Sequence, residues 1–413
     1  MHSDSSATAV VLGGDIGAYS VARAFFQATG NKPTVISAFG GGIVRDSSIA
    51  DLIVEPDMED LAVLKARLLE LDSRITSPHI IAVASADWNV ESLLSLREQL
   101  PPRWIVPYPD AQTVAKATDK ASFSAMCERL GVPHPRSIVR QPGGDIPLDG
   151  QALTYPIVAK ATDTPAYHEV EFVGKKKVFT FESPEEARIA LGAADDAGYQ
   201  GDFLLQEYVP GPDSQMRVLN LYCQEGGRVV FAGLGRVLLE EHAPSAIGNS
   251  AAIITEMDPG IVAEAAKIVA DLKWRGFACF DIKIDPRTGS PMIFEMNARL
   301  GRAHHYLTAV GANPAEFYLR DFVAGEVIER CYTVAKEGLY TVVPISLLML
   351  YTPGQRARIA KLVASGRVAS PLFNTAERHP KRWGYVLAAY VNQWRKFLRH
   401  HPPSKVNRPG LSG

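Results

Sequence analysis

Three charged residues lie in otherwise apolar segments of this chain. Lys160, Asp281 and Glu295 each stand in or directly after a short apolar run typical of a buried β-strand. A lone charge is costly to remove from water unless an opposite charge or a ligand compensates for it. The fold must therefore supply partners for these three side chains, and we expect them to meet in a functional site.

The two acids lie on neighbouring strands of a predicted hairpin. One strand carries Asp281, a turn follows at residues 285–290, and the next strand carries Glu295 and Asn297. In this arrangement the two carboxylates can face the same side. Carboxylate and amide oxygens are the ligands that Mg²⁺ prefers, and the ion also takes phosphate oxygens. We therefore predict a metal site here in preference to a buried salt bridge.

A nucleotide-binding pattern precedes the hairpin. Lys160 at the end of a strand is suited to hold a phosphate as a point charge. A second strand runs from Leu204 into a hinge-like segment at residues 207–212, whose backbone groups can read the edge of an adenine. Asp213 beyond the hinge can accept hydrogen bonds from ribose hydroxyls. The alternative interpretation is that Asp213 is an ordinary acidic residue of a turn.

The first hundred residues alternate short apolar strands with helices, which predicts a parallel sheet. The turn at residues 13–17 does not have the G-x-G-x-x-G spacing of a dinucleotide site, and no acid follows the second strand. We therefore expect an α/β protein without a nicotinamide cofactor. The predicted units are an α/β domain at 1–112, a second domain at 113–335 with a small subdomain at about 135–207, and a basic C-terminal helical extension at 336–413.

In order and spacing, these motifs resemble the ATP-grasp superfamily. The string from Phe294 to Arg299 resembles its E-x-N-x-R signature. Residues 13–23, Tyr167 and residues 172–177 are similar to carboxylate–amine ligases of the D-aspartate ligase type. The resemblance implies a pre-ATP-grasp domain followed by a two-subdomain α+β ATP-grasp domain. It also implies ATP and Mg²⁺, or Mn²⁺ in its place, as cofactors.

The resemblance also assigns roles to individual residues. Lys120 and Lys160 would contact ATP phosphates, and Lys177 would help to cover them, because the loop at 161–177 contains a single glycine. Those that would bind the rest of the nucleotide and the metal are Glu207, Tyr208 and Val209 at the adenine, Asp213 at the ribose, and Asp281, Glu295 and Asn297 at Mg²⁺. Arg299 would stabilise charge on the transferring group. Arg236 is a weaker candidate for a phosphate contact, and Arg302 or His304 for a contact to an acidic substrate.

The expected activity is ATP-dependent ligation of a carboxylate to an amine through an acyl phosphate. The expected carboxylate substrate is an amino acid, and the expected amine is carried by a cell-wall peptide precursor. One alternative is a degenerate nucleotide-binding module that acts as a sensor or partner subunit, although all three metal ligands are present. Another is a biotin-carboxylase-like enzyme, although neither a Gly-rich lid nor a biotinyl-lysine motif is visible. No nucleic-acid partner is expected.

The charge of the chain is unevenly distributed. From Thr352 onward there are 12 Lys and Arg residues against one acid, Glu377, whereas the preceding residues carry 31 bases and 44 acids. The four cysteines lie far apart, and the N-terminus has no pattern of a secretory signal, so a cytoplasmic protein is expected.

The basic C-terminal region contains a predicted amphipathic helix. Its apolar stripe, at steps of four, three, four and four, consists of Trp383, Leu387, Tyr390, Trp394 and Leu398. Such a helix can dock on the acidic body of the protein. The alternative hypothesis is peripheral contact with the anionic inner surface of a membrane.

Overall fold

The computed structural model describes residues 6–146, 153–244 and 246–403, and for residues 164, 165 and 168 it describes the backbone alone. The strands are β1 (Ala7–Leu12), β2 (Thr34–Ser37), β3 (Asp51–Val54), β4 (His79–Ala84), β5 (Trp104–Ile105), β6 (Ser137–Arg140), β7 (Ile157–Ala161), β8 (Phe179–Phe181), β9 (Phe203–Glu207), β10 (Met216–Gln224), β11 (Arg228–Glu240), β12 (Ser250–Glu256), β13 (Gly276–Ile284), β14 (Pro291–Asn297), β15 (Tyr332–Thr333), β16 (Leu339–Thr341) and β17 (Val368–Ala369). The helices are α1 (Ile16–Thr29), α2 (Leu61–Arg74), α3 (Asp87–Leu96), α4 (Ala111–Thr118), α5 (Lys120–Leu130), α6 (Thr164–Glu169), α7 (Pro184–Asp196), α8 (Pro259–Asp271), α9 (Pro314–Tyr318), α10 (Ile345–Tyr351), α11 (Arg356–Ala364) and α12 (Pro380–His400).

The N-terminal region is a parallel sheet in the order β3-β2-β1-β4-β5, which confirms the predicted α/β class. Every residue of β1 is buried, as expected for a central strand with helices on both faces. Helix α1 begins where the Asp15 carboxylate accepts a hydrogen bond from the Ala18 amide at 2.9 Å. It ends at Gly30, whose φ of 77° suits a residue without a side chain. The N-terminus of α1 thus lies at the carboxyl edge of the sheet.

Two further sheets follow, a small antiparallel one and a large, mostly antiparallel one. The small one has the order β6-β9-β7-β8 and encloses a core of aromatic rings that includes Tyr167, Phe179 and Phe203. The large one has the order β14-β13-β10-β11-β12-β16-β17, with β15 beside β11. The predicted hairpin is confirmed as β13–β14, and its register places Asp281 directly opposite Glu295.

The C-terminal region is more closely integrated than the term extension suggests. Strand β16 pairs with β12 and carries β17 at its outer edge, so residues from the predicted extension complete the large sheet. Helix α12 packs on the same core. No helix among the described residues is long and apolar enough to cross a membrane.

The predicted apolar face of α12 needs correction. Its buried residues are Arg382, Val386, Gln393 and Phe397. Of the predicted stripe, Trp383, Tyr390 and Trp394 pack partly against the core, whereas Leu387 and Leu398 are 67% and 53% exposed. The docked face is rotated because a buried arginine and a buried glutamine, which have no hydrophobic signal, occupy part of it.

Glu377, the single acid of residues 352–413, anchors this segment to the N-terminal domain. The Glu377 carboxylate accepts hydrogen bonds from the Tyr19 hydroxyl at 2.7 Å, the Ser47 hydroxyl at 2.7 Å and the Ser48 amide. The Arg382 guanidinium lies 3.9 Å from the same carboxylate and 4.9 Å from the centre of the Tyr19 ring. Tyr19, Glu377 and Arg382 are buried, so the polar groups of these three side chains rely on partners within the protein.

We expect Glu377→Ala to lower the free energy of unfolding by about 3 kcal/mol, because it removes the acceptor of the Tyr19 hydroxyl and leaves the buried Arg382 without a carboxylate partner. Urea unfolding measures this loss. The matched control is Glu337→Ala, which removes a 46% exposed acid paired with Arg358 and should cost less than about 1 kcal/mol. Equal losses in the two variants would contradict the anchoring role.

Candidate functional site

The hairpin β13–β14 brings two carboxylates and an amide together. Asp281 and Glu295 are ladder partners on one face, and the Asn297 side-chain amide lies 3.4 Å from the Asp281 carboxylate. Burial and the neighbouring Glu295 charge raise the pKa of Asp281 to about 7. Two carboxylates that resist joint ionisation fit a divalent cation, which would neutralise both.

Among the described residues, no group of three or more His, Cys, Asp and Glu side chains is placed to hold a metal ion by itself. The candidate protein donors at the hairpin are two carboxylates and one amide oxygen. Mg²⁺ is commonly held by one or two carboxylates together with substrate phosphates and water. The donor set fits such a shared site.

Lysines face the acids across a narrow cleft. Lys120 at the start of α5, Lys160 on β7 and Glu295 on β14 line it together. Burial and then the nearby Lys120 charge lower the pKa of Lys160, while the charges of Glu295 and Asp281 act in the opposite direction. The exposed Lys177 also acts on Lys160, so the structure brings the three predicted phosphate-binding lysines together.

The hinge residues are partly used in internal contacts. The Glu207 carboxylate accepts a hydrogen bond from the Thr154 amide at 2.9 Å, and the Tyr208 amide donates to the Pro156 carbonyl at 3.0 Å. Val209 is buried. The segment lies where β9 of the small sheet leads toward β10 of the large sheet, as a hinge between the two requires.

Asp213 lies in a network that extends to the end of α12. Its carboxylate accepts from the Glu240 amide at 2.9 Å and lies 3.3 Å from the His242 ring nitrogen. Burial opposes ionisation of Asp213, but the hydrogen bonds from His242 and the Glu240 backbone lower its pKa overall. The His242 ring stacks on His401 at 3.8 Å.

Sequence reasoning missed Glu240, whose side chain belongs to the same network. Burial and the Asp213 charge raise the pKa of Glu240 to about 7, partly offset by His242 and Lys283. Lys283 lies on β13, two residues beyond Asp281, and its amine is 5.6 Å from the Tyr208 ring centre. Asp281 and Lys283 lie two residues apart on one face of β13, and this spacing could have identified Lys283 as a site residue. Glu240 carries no such signal, because it stands at the end of an apolar strand, as many surface acids do.

The three candidate arginines have different surroundings. The Arg299 guanidinium donates to the Asp87 carboxylate at 2.9 Å, across to the N-terminal domain. The Arg302 guanidinium lies 3.6 Å from Asp15 and 3.4 Å from Glu241. Arg236 pairs in register with Arg217, itself paired with Ile282. Because side chains alternate along a strand, that register places Arg236 on the sheet face opposite Asp281.

Sequence comparisons relate the whole chain to one curated protein. The chain is 29% identical over 407 residues to D-aspartate ligase of Enterococcus faecium (strain Aus0004), which covers 94% of this chain and 96% of that protein. Identity to the carbamoyl phosphate synthase large chain of Deinococcus radiodurans is 28% over 229 residues, 53% of this chain and 21% of that protein. No family model matches the chain.

Solved structures share the fold at low sequence identity. The purK N5-carboxyaminoimidazole ribonucleotide synthetase, solved as an ADP complex, matches 94% of this chain and 97% of its own with a TM-score of 0.59 and 14% identity. The L-amino acid ligase from Bacillus licheniformis matches 76% of this chain and 73% of its own, with a TM-score of 0.52 and 14% identity.

The chain has the fold of ATP-grasp ligases, and its chain-long similarity is to a carboxylate–amine ligase, in keeping with an ATP-dependent enzyme that forms C–N bonds. This agrees with the fold and the class predicted from the sequence. One protein of that class that the chain resembles over nearly its full length is D-aspartate ligase.

The carboxylate pair predicts a characteristic pH dependence. A folded-state pKa of about 7 for Asp281 means that the native protein holds a proton that the unfolded chain releases near pH 4. The stability contributed by this group is therefore present below about pH 4 and is lost as the pH rises through about 7. Glu295→Gln removes the neighbouring charge and should lessen this loss.

The measurement is urea unfolding of both proteins at several pH values from 4 to 8 without divalent cations. The free energy of unfolding of Glu295→Gln relative to the parent should rise across this range, and added Mg²⁺ should stabilise the parent more than the variant. A difference that does not change with pH contradicts the coupled pair.

Proposed function

We propose that the protein activates the carboxylate of an amino acid with ATP and Mg²⁺ and joins it to an amine through an acyl phosphate. The observation that carries the proposal is the buried pair Asp281 and Glu295, set across a cleft from Lys120 and Lys160. Opposed acids and lysines are the chemistry needed to hold a cation and a polyphosphate side by side.

Asp281, Glu295 and Asn297 would hold Mg²⁺, or Mn²⁺ in its place. When bound, the cation neutralises oxygens of the β- and γ-phosphates and so favours attack at the γ-phosphorus. The intact ligand set argues against a degenerate module that only senses nucleotide.

The lysines would hold the phosphates, with Lys177 closing from the exposed loop after α6. The adenine would lie against the hinge at 207–209, and the ribose hydroxyls would donate to Asp213, which its hydrogen bonds keep ionised. Arg299 would face the charge that develops on the γ-phosphoryl group, and its bond to Asp87 fixes the guanidinium in advance. Among the three arginines, Arg299 and Arg302 are the better candidates for contact with the reacting groups, because Arg236 lies on the sheet face opposite Asp281.

In the first step, a carboxylate oxygen of the amino acid attacks the γ-phosphorus and ADP leaves. In the second, the amine attacks the acyl carbon, phosphate leaves from the tetrahedral intermediate, and the amine nitrogen loses its extra proton. The acyl phosphate must be shielded from water, which closure of the small sheet over the cleft would provide. The similarity to D-aspartate ligase favours an amino-acid substrate and a cell-wall peptide precursor as the amine acceptor.

The first test is ADP release with ATP, Mg²⁺ and a panel of D- and L-amino acids, each with candidate amines. We expect one amino acid to stimulate release, and Glu295→Gln to abolish it without loss of secondary structure, because a neutral amide cannot balance phosphate charge. Glu264→Gln on α8, away from the cleft, is the matched control and should keep full activity. Turnover of Glu295→Gln within a few-fold of the parent would contradict the assignment of Glu295 to the Mg²⁺ site.

We also propose that α12 makes peripheral contact with an anionic membrane on its cytoplasmic side. Its outward stripe contains Leu387, Val391 and Leu398, which are 67%, 52% and 53% exposed. The exposed Arg395 and Arg399 flank the stripe, and no acid lies on the helix. Basic residues beside an apolar stripe suit an anionic lipid surface, at about 1 kcal/mol for each charge. Such contact would bring the ligase to a lipid-linked acceptor.

Sedimentation with vesicles that contain anionic lipid tests this contact. The parent protein should bind at low salt and much less at high salt, and the double variant Leu387→Glu/Leu398→Glu should remain in the supernatant. Ile189→Glu, at a 61% exposed position on α7, is the control and should bind like the parent. Equal binding of the parent and the double variant would refute the contact.

A further inference from the structure

Four charged side chains from distant parts of the chain meet beside the proposed catalytic cleft. Arg302, which follows β14, lies 3.6 Å from Asp15 at the start of α1 and 3.4 Å from Glu241 after β11. Lys396 of α12 lies 4.0 Å from the other oxygen of Glu241. These four residues form what we term the Arg302 cluster. It contains two acids and two bases and is therefore neutral.

The ion pairs of the cluster are loose. None of them is a close, two-pronged arginine–carboxylate pair of the kind that fixes geometry. Arg302 and Asp15 are 29% and 41% exposed, whereas Glu241 is 4% exposed. The cluster thus has a buried end and an end open to solvent, and its charges can change partners at modest cost.

Two buried polar atoms beside the cluster have no hydrogen-bond partner among the described residues. They are the Tyr340 hydroxyl and the second ring nitrogen, Nε2, of His304. Both side chains are at least 99% buried. The charges of Arg302, Glu241 and Asp15 all act on Tyr340, and that of Asp15 acts on His304. Buried polar atoms are normally satisfied, so these two atoms have hydrogen-bonding capacity left to offer a ligand at the cluster.

The His304 ring is held in a defined state. Its Nδ1 lies 2.9 Å from the Gly301 carbonyl, which can only accept, so Nδ1 carries the proton and Nε2 offers a lone pair. Burial lowers the pKa of His304 to about 4, which keeps the ring neutral. His304 therefore presents an acceptor, and the Tyr340 hydroxyl can donate.

These groups define the charge of the ligand. A simple anion would meet Asp15 and Glu241, and a simple cation would meet Arg302 and Lys396. A zwitterion is neutral overall and can satisfy both signs without leaving a charge unpaired. Its ammonium matches Asp15, Glu241 and the His304 acceptor, and its carboxylate matches Arg302 and the Tyr340 hydroxyl.

We propose that the Arg302 cluster, with Tyr340 and His304, binds the zwitterionic head group of the α-amino acid substrate, a proposal that rests on the proposed ligase function. Arg302 takes the α-carboxylate, and Asp15 with Glu241 takes the α-ammonium. Arg299, the arginine assigned to the transferring phosphoryl group, lies three residues before Arg302, and its charge also acts on His304. Because Glu241 also lies near Lys396, the C-terminal helix helps to set the site.

The test compares analogues rather than variants alone. Calorimetry with a non-hydrolysable ATP analogue and Mg²⁺ measures the dissociation constants of D- and L-aspartate, of succinate, which lacks the amine, and of β-alanine, which lacks the α-carboxylate. In the parent protein, one aspartate enantiomer should bind at least about tenfold more tightly than either analogue, as expected for a lost charged hydrogen bond. Binding of neither enantiomer, or equal binding of all compounds, overturns the proposal.

The variants assign the two ends of the head group. Arg302→Gln should abolish the preference for aspartate over β-alanine but keep the preference for aspartate over succinate. Glu241→Gln should reduce the preference for aspartate over succinate. Arg302→Lys should restore part of the carboxylate preference. Arg103→Gln is the control, because Arg103 is 28% exposed and also pairs with an acid, Asp72, in the N-terminal domain. It should leave all preferences unchanged.

A purely structural ion-pair cluster gives a different result. In that case Arg302→Gln lowers the midpoint of thermal unfolding and raises the dissociation constants of all compounds by the same factor. The ratios between those constants then stay the same. That outcome overturns the head-group site and leaves the ligase function standing. Absence of amino-acid-dependent ADP release in the parent protein would instead count against the ligase function itself.

Discussion

The structure depends on the repulsion between two carboxylates that the β13–β14 ladder forces together. Asp281 and Glu295 are opposite each other by backbone register, so neither can turn away without breaking the sheet. Burial, and then the charge of the facing Glu295, raise the pKa of Asp281 to about 7. This arrangement is costly for two bare carboxylates and fits the proposed divalent ion, since such an ion would offset the repulsion.

The residues around this pair are contributed by regions that are far apart in the chain. Arg299 is held by Asp87 from the N-terminal domain, and Arg302 by Asp15 and Glu241. Glu377 ties the C-terminal segment to Tyr19 of α1. The pairs Arg299–Asp87, Arg302–Asp15 and Glu377–Tyr19 each join the N-terminal parallel-sheet region to a later part of the chain. The proposed substrate groups therefore lie at a boundary between domains, where ligands commonly bind.

Local patterns predicted the parts of the structure that are set by neighbouring residues. The β13–β14 hairpin and the α/β start of the chain follow from short periodicities and turn residues. The meeting of Lys160 with the two acids was also predictable, because burying a charge in an apolar strand requires a partner.

The rest depends on contacts between segments hundreds of residues apart. The sequence carries no local sign that Glu241 meets Arg302, or that β16 and β17 complete the large sheet. The docked face of α12 was misjudged for the same reason, since Arg382 and Gln393 are buried by specific partners and not by hydrophobicity. Glu240 was missed because nothing in the apolar end of β11 separates it from a surface acid.

The most direct test of the central claim is the fate of carboxylate oxygen. The amino acid identified by ADP release is labelled with ¹⁸O in its carboxylates and incubated with ATP, Mg²⁺ and the amine, and the released phosphate is analysed by mass spectrometry. Attack of the carboxylate on the γ-phosphorus predicts one ¹⁸O atom in each phosphate released. Unlabelled phosphate, with the label retained in the amide product and the free acid, would contradict an acyl-phosphate mechanism.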